Sequence, residues 1–238
     1  MMLRLRRLLG RIRMCLLRLP RRGVDVRFSP CLFSFTLANL FALDCKSLAP
    51  TWETLANDYV LEPSVVIANV DAEAENAKTL TREQGISGFP TIKFFPKGSN
   101  DAEPYQGARS EQAFVDFLNT KAGTARAVGG GLNEKAGTIA HLDSLVGKHV
   151  AARNFADLVG DVKKGVKSAQ DKSSQYYVKV AEKLSQNQEY AGKEFARLTK
   201  IIQKGGSAPE KLDDLVSRSN ILRQFLGGGK EDEKRDEL

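Results

Sequence analysis

Cysteine is scarce in this chain: there are three in 238 residues, at positions 15, 31 and 45, and no two are close together. That is too few for a disulfide-stapled secreted scaffold, and the odd number leaves at least one thiol outside any internal pair. No apolar run reaches the length needed to span a bilayer; the longest candidate, CLFSFTLANLFAL at 31–43, is too short. The C-terminal half has no paired carboxylates, no metal-ligand spacing and no glycine-rich phosphate loop. Its two histidines, His141 and His149, read as surface or hydrogen-bonded core residues rather than ligands. The net charge of +7 is not spread along the chain. Residues 1–30 hold nine arginines against Asp25, and the remainder carries 27 basic and 28 acidic residues. A nearly neutral body argues against nucleic acid as a partner.

What is present reads as two domains, an expectation that length and a 42% apolar content allow. In KSLAPTWETLANDYV, Leu48, Trp52, Leu55, Ala56 and Tyr59 recur at helical spacing. SVVIANVD is a β-branched run of strand length. AEAENAKTLTREQG reads as a helix closed by Gly85, and GFPTIKFFPKG as a strand through Phe95 followed by a turn. A short strand near Tyr105 and a helix capped by Ser110 complete the unit. The order from Cys45 is helix, strand, helix, strand, strand, helix.

These segments, CKSLAPTWETLA, VDAEAENAKTLTREQGISGFPTIKFFPKG and YQGARSEQAFVDFL, resemble the thioredoxin domain of protein disulfide isomerases. The resemblance implies an α/β thioredoxin-like domain over 41–122 and thiol-disulfide exchange as the family chemistry. It implies that Pro90 is a cis-proline, that Phe89, Pro90 and Lys46 contact an extended substrate, and that Arg109 tunes the second active-site cysteine. Arg109 also reads as an ordinary solvated charge. No cofactor and no metal are implied.

Exchange needs a pair of thiols: one attacks, and the second releases the mixed disulfide. Aligning Cys45-Lys46 with the end of the family motif Trp-Cys-Gly-His-Cys-Lys places Phe41 at the Trp, Ala42 at the nucleophile, Leu43 at the Gly and Asp44 at the His. Cys45 then stands at the resolving position, with a carboxylate beside it that opposes thiolate formation. An inert helix thiol and a weak redox residue both remain open for Cys45.

Upstream, residues 1–40 do not match the family. MMLRLRRLLGRIRMCLLRLPRR is Arg-rich and transit-like, and 31–43 has the length of a signal-peptide apolar region behind basic residues. FSFTL at 33–37 alternatively imitates a family strand, with Ser34 where that strand carries a buried carboxylate. A mistaken start or retained intron would also account for the abrupt change at Cys45. Without the family's upstream strands the sheet is expected to be incomplete, with an open edge.

After a glycine-rich linker at 123–137, residues 138–227 read as five helices near 138–149, 152–168, 171–186, 188–204 and 209–226. Phe155, Leu158, Val159 and Val162, and Tyr190, Phe195, Leu198, Ile201 and Ile202, make apolar faces for an all-α bundle. This half resembles the D-type C-terminal domain of some disulfide isomerases, which implies binding of client or partner proteins, or else a structural appendage. The tail at 228–238 ends in Arg235, Asp236, Glu237 and Leu238, close to the address read by the retrieval receptor of the endoplasmic reticulum. The expected setting is therefore the lumen of that compartment, with unfolded or cysteine-containing secretory proteins as partners. A disulfide isomerase, a non-catalytic client-binding chaperone or scaffold, and a truncated product of a disulfide isomerase gene are the readings carried forward.

Overall fold

The computed structural model describes residues 31–37, 43–72, 74–99, 101–166 and 171–227. It divides into two compact units, the first ending at Gly131 and the second beginning at Leu132.

In the first unit, strand β1 (Cys31–Leu37) leads to helix α1 (Leu43–Asp58), strand β2 (Val65–Asp71), helix α2 (Lys78–Glu83), strands β3 (Thr91–Phe95) and β4 (Glu103–Pro104), and helix α3 (Glu111–Ala122). The sheet order is β2-β1-β3-β4. β1 runs parallel to β2, with Cys31 opposite Val65, and antiparallel to β3, with Phe35 opposite Ile92. Residues that read as apolar leader sequence thus occupy an interior position in the sheet, where a strand has backbone partners on both sides.

Period sets which side chains meet. Leu48, Trp52, Leu55 and Tyr59 fall on one stripe of α1, and Phe114, Val115 and Leu118 on one stripe of α3; both pack on the face of the sheet bearing Val65, Ile92 and Phe94. Trp52 stands edge-on to Phe114 at 5.5 Å between ring centroids, and its indole N–H donates to the Ala68 carbonyl at 3.2 Å, so one residue joins α1, α3 and β2. The opposite face is more thinly covered among the described residues. Lys93, next to the inward-facing Ile92 and Phe94, turns that way and donates to the Gln84 carbonyl just after α2. α2 buries none of its side chains, and Val66 on β2 is 38% exposed.

The helix expected over 72–85 is shorter in the structure: a single 3-10 turn at Glu75–Ala77 precedes α2. Ala74 and Ala77, at the two N-cap positions, offer no side-chain acceptor to the first amides. Ser110, by contrast, caps α3 by accepting from the Ala113 N–H.

The second unit comprises α4 (Ala140–Ala152), α5 (Phe155–Gly165), α6 (Lys172–Gln186), α7 (Tyr190–Lys204) and α8 (Pro209–Phe225). Its core collects Leu142 and Val146, Leu158 and Val162, Tyr177, Val180 and Leu184, Leu198, and Ile221, Leu222 and Phe225, taking a stripe from every helix. Pro209 opens α8 at a position where its missing N–H costs nothing. The expected glycine-rich linker is ordered at both of its ends. Asn119 accepts the Arg126 N–H and donates to the Arg126 carbonyl within the first unit. Within the second, Asn220 on α8 donates to the carbonyls of Asn133 and Ala136.

Candidate functional site

Cys45 lies in the first turn of α1 and is 1% exposed. Asp44 and Lys46 on either side of it are exposed, and the Ser47 hydroxyl folds back onto the Asp44 carbonyl at 2.9 Å. A helix N-terminus gathers unpaired N–H groups and partial positive charge, a setting that favours an anion at its mouth. The thiol in that turn is nevertheless directed into protein rather than toward solvent. Pro50, further along the same helix, has no N–H for the carbonyl of Lys46 four residues back, which leaves the N-terminal turns more weakly tied to the rest of α1.

The second element is the loop into β3. α2 ends in a Schellman arrangement: the Gly85 N–H donates to Arg82 and the Ile86 N–H to Thr81, with Gly85 at φ +61°. The chain then runs out through Ser87 and Gly88 to a cis Phe89–Pro90 peptide bond. The Thr91 hydroxyl donates to the Gly88 carbonyl at 2.6 Å and closes the turn. Phe89 is 38% exposed, one of the few large apolar side chains that face solvent among the described residues. An apolar side chain beside a turn at the mouth of a strand is suited to meeting an extended chain.

Arg109 is exposed in the loop between β4 and α3, where Tyr105 donates its hydroxyl to the Ala108 carbonyl at 2.7 Å. Phe41 and Ala42 lie outside the described residues, as do Cys15 and the tail with Arg235, Asp236, Glu237 and Leu238; of Cys31 and Ser34 only the strand backbone is described. In the second unit His141 meets the Gly165 carbonyl at 2.8 Å, and His149 meets the Asn154 carbonyl at 3.0 Å and Asp161 at 3.2 Å. Both histidines tie α4 to α5.

The thioredoxin family model matches residues 40–120, and the model for the C-terminal domain of endoplasmic reticulum protein ERp29 matches residues 137–225. Protein disulfide-isomerase tigA of Aspergillus niger is 68% identical over 194 residues, covering 82% of this chain and 52% of that protein. Protein disulfide-isomerase erp38 of Neurospora crassa is 50% identical over 196 residues, 81% of this chain and 53% of that one. The chain belongs to the protein disulfide isomerase family. Its architecture is a thioredoxin-like α/β domain followed by a helical C-terminal domain. Protein disulfide isomerase-like 2-2 of Oryza sativa is 40% identical over 188 residues, covering 76% of this chain and 50% of the rice protein. The chain spans about half the length of the curated relatives it matches.

Sequence reasoning singled out none of Asp58, Glu111 and Arg126. Asp58 and Arg126 are each only 4% exposed. Tyr59 beside them is pushed up to about 12, first by burial, with Glu62 and Asp58 adding to the shift and the Thr124 hydrogen bond and Arg126 opposing it.

Proposed function

We propose that this chain is a disulfide isomerase relative of the endoplasmic reticulum lumen that holds unfolded or cysteine-containing secretory clients while its own exchange chemistry is crippled. The observation that carries this reading is Cys45, a thiol 1% exposed in a chain without any Cys-x-x-Cys pair. In exchange, a thiolate attacks one sulfur of a client disulfide, the client S–S bond breaks, and the departing sulfur leaves as a thiolate. A second thiol then attacks the mixed disulfide and frees the client. With Ala42 at the attacking position the first step has no nucleophile. Burial keeps Cys45 from taking it over.

Client contact does not need that step. The cis Phe89–Pro90 turn, with Phe89 facing solvent, supports binding of an extended client through backbone bonds and apolar contact. The helical unit supplies a second surface for clients. The terminal Arg235, Asp236, Glu237 and Leu238 supply the retrieval address for the lumen, read by the retrieval receptor.

Insulin reduction and refolding of scrambled ribonuclease by the purified full chain separate a binder from an enzyme. The expected result is no turnover above the uncatalysed rate, together with slower aggregation of a reduced client. Turnover that disappears in Cys45→Ala would refute the crippled reading. For the address, a secreted reporter carrying the last eleven residues is expected to stay in the cell, and its secretion at the rate of the bare reporter would count against the lumenal assignment.

A further inference from the structure

The end of α1 and the start of α3 bring two carboxyl groups together beneath the segment that closes the first unit. Asp58 is 4% exposed, and its Oδ2 is buried with no donor facing it. Its carboxyl and that of Glu111 converge under Gly129 and Gly130, within reach of a shared proton. Ionised carboxylates only accept, so a bond between the two exists only while one of them carries a proton. Above the pair, the Gly129 N–H donates to Glu111 Oε1 at 3.1 Å. Gly130, at φ +78°, lies directly on Asp58: a Cβ there would stand 3.2 Å from Asp58 Cα. From the other side Arg126 donates from Nη1 to the Gly130 carbonyl at 3.2 Å, and its Nε lies 3.6 Å from Glu62 Oε2.

We propose that Asp58 and Glu111 form a proton-operated latch on residues 127–131, closed while the pair shares a proton and slack when both carboxyls are ionised. In the closed form the two groups act as one hydrogen-bonded platform for Gly129 and Gly130. In the open form two like charges repel beside the buried Asp58, which favours moving the half-exposed Glu111, and the segment bonded to it, away. The charged and titratable groups around the pair are Glu111 from α3, Arg126 from the segment itself, Glu62 from the turn after α1, and Tyr59 at the end of α1.

The direction of the pH effect follows from Asp58. Burial, then the hydrogen bond and charge of Glu111, raise it to about 6, while the Gly129 backbone bond pulls the other way. A carboxyl raised in the folded state binds its proton more tightly there than in the unfolded chain. The stabilisation is therefore complete below the ordinary value near 4 and is lost as pH rises through about 6. The latch is tight in acid and slack at neutral pH, and it stands whether or not the chain catalyses exchange.

Hydrogen exchange on the full chain, followed by mass spectrometry from pH 4 to 7.5 and corrected for the intrinsic rate, reads the latch in the peptide covering 127–131. Protection there is expected to fall by up to about a hundredfold between pH 4 and 7, the change in proton affinity of a carboxyl moved from near 4 to about 6. Peptides from α7 and α8 keep theirs. Asp58→Asn puts a donor toward Glu111 at every pH and is expected to hold the segment at its acid protection throughout. Glu111→Gln does the same from the other side and serves if the first variant folds poorly. Protection in the parent that is flat with pH, or variants that follow the parent's pH dependence, would overturn the proposal.

Discussion

A thiol reagent added to the native full chain tests the state of Cys45 most directly. A side chain 1% exposed in the first turn of α1 cannot meet a bulky aromatic disulfide without local opening of that turn. Opening free energies run from near zero at fraying ends to the global stability in a core. Cys45 sits between these limits: it is buried, but Pro50 deprives the turn of one backbone bond to the rest of the helix. An opening cost of about 3 kcal/mol corresponds to roughly one molecule in 150 open at any moment, and labelling through that minority is slowed by the same factor. The assay compares modification at Cys45 in buffer and in denaturant. Cleavage on the N-terminal side of Asp44 separates its peptide from that of Cys31, so mass spectrometry reads each thiol alone. The expected result is labelling about a hundredfold slower in the native chain than in the unfolded one. Native labelling within threefold of the unfolded rate would refute the argument from burial, and with it the reason for denying Cys45 a share in exchange.

The motif alignment makes its own prediction: Ala42→Cys together with Leu43→Gly and Asp44→His rebuilds a Cys-x-x-Cys pair ending at Cys45, and insulin reduction is expected to rise at least about tenfold over the parent, the general range of a single recovered catalytic group. No gain would show that Ala42 does not occupy the nucleophile's place. Gly137→Ala is expected to destabilise the helical unit by about 1–3 kcal/mol, read as a lower urea midpoint, because Gly137 has φ +77° and an added Cβ would stand 2.7 Å from Ser217 Cβ. An unchanged midpoint would mean that α8 gives way freely at Ser217. Tyr177→Phe removes a fully buried hydroxyl that donates to Asp143 and accepts from the Ile139 N–H, and a loss of about 1.5–3 kcal/mol is expected in the same measurement. A loss below about 0.5 kcal/mol would remove this pair from the account of how α4 is fixed to α6.

The helical unit was the most legible part of the sequence, for a physical reason. Each of its helices spans several turns, so a stripe such as Leu158 and Val162, or Leu198 with Ile201 and Ile202, repeats often enough to reveal its period. Pro209 marks the start of the last helix by its own chemistry. α2 lies at the other extreme. Six residues show less than two turns, and what shortened it was the lack of a capping side chain at Ala74 and Ala77, a feature that composition hides behind good helix formers. CLFSFTL was undecidable by pattern, since a short apolar run without alternation fits a buried strand and a leader segment equally. Its place between β2 and β3 depends on partners more than thirty residues away.

The same distance in sequence explains why the cis-proline turn was legible and the meeting of Asp58 with Glu111 was not. Gly88-Phe89-Pro90 is a local unit whose closing bond, from Thr91 to Gly88, spans three residues, so a resemblance over one short stretch carries the whole feature. Asp58 closes a helix, and Glu111 sits in the first turn of another, where an acid ordinarily faces solvent and complements the helix dipole. Nothing in either neighbourhood signals that the two meet, because the meeting is imposed by Trp52 and Phe114 packing α1 on α3 and by Gly130 coming down on Asp58. Gly130 lies in the segment read as a glycine-rich linker. A run of three glycines suggests slack, yet here the absent side chain is what allows the backbone to lie against a buried acid, at a φ of +78°. Freedom of the isolated residue and fixity of the folded segment come from the same missing Cβ, and the proton on the pair beneath decides which of the two the segment shows.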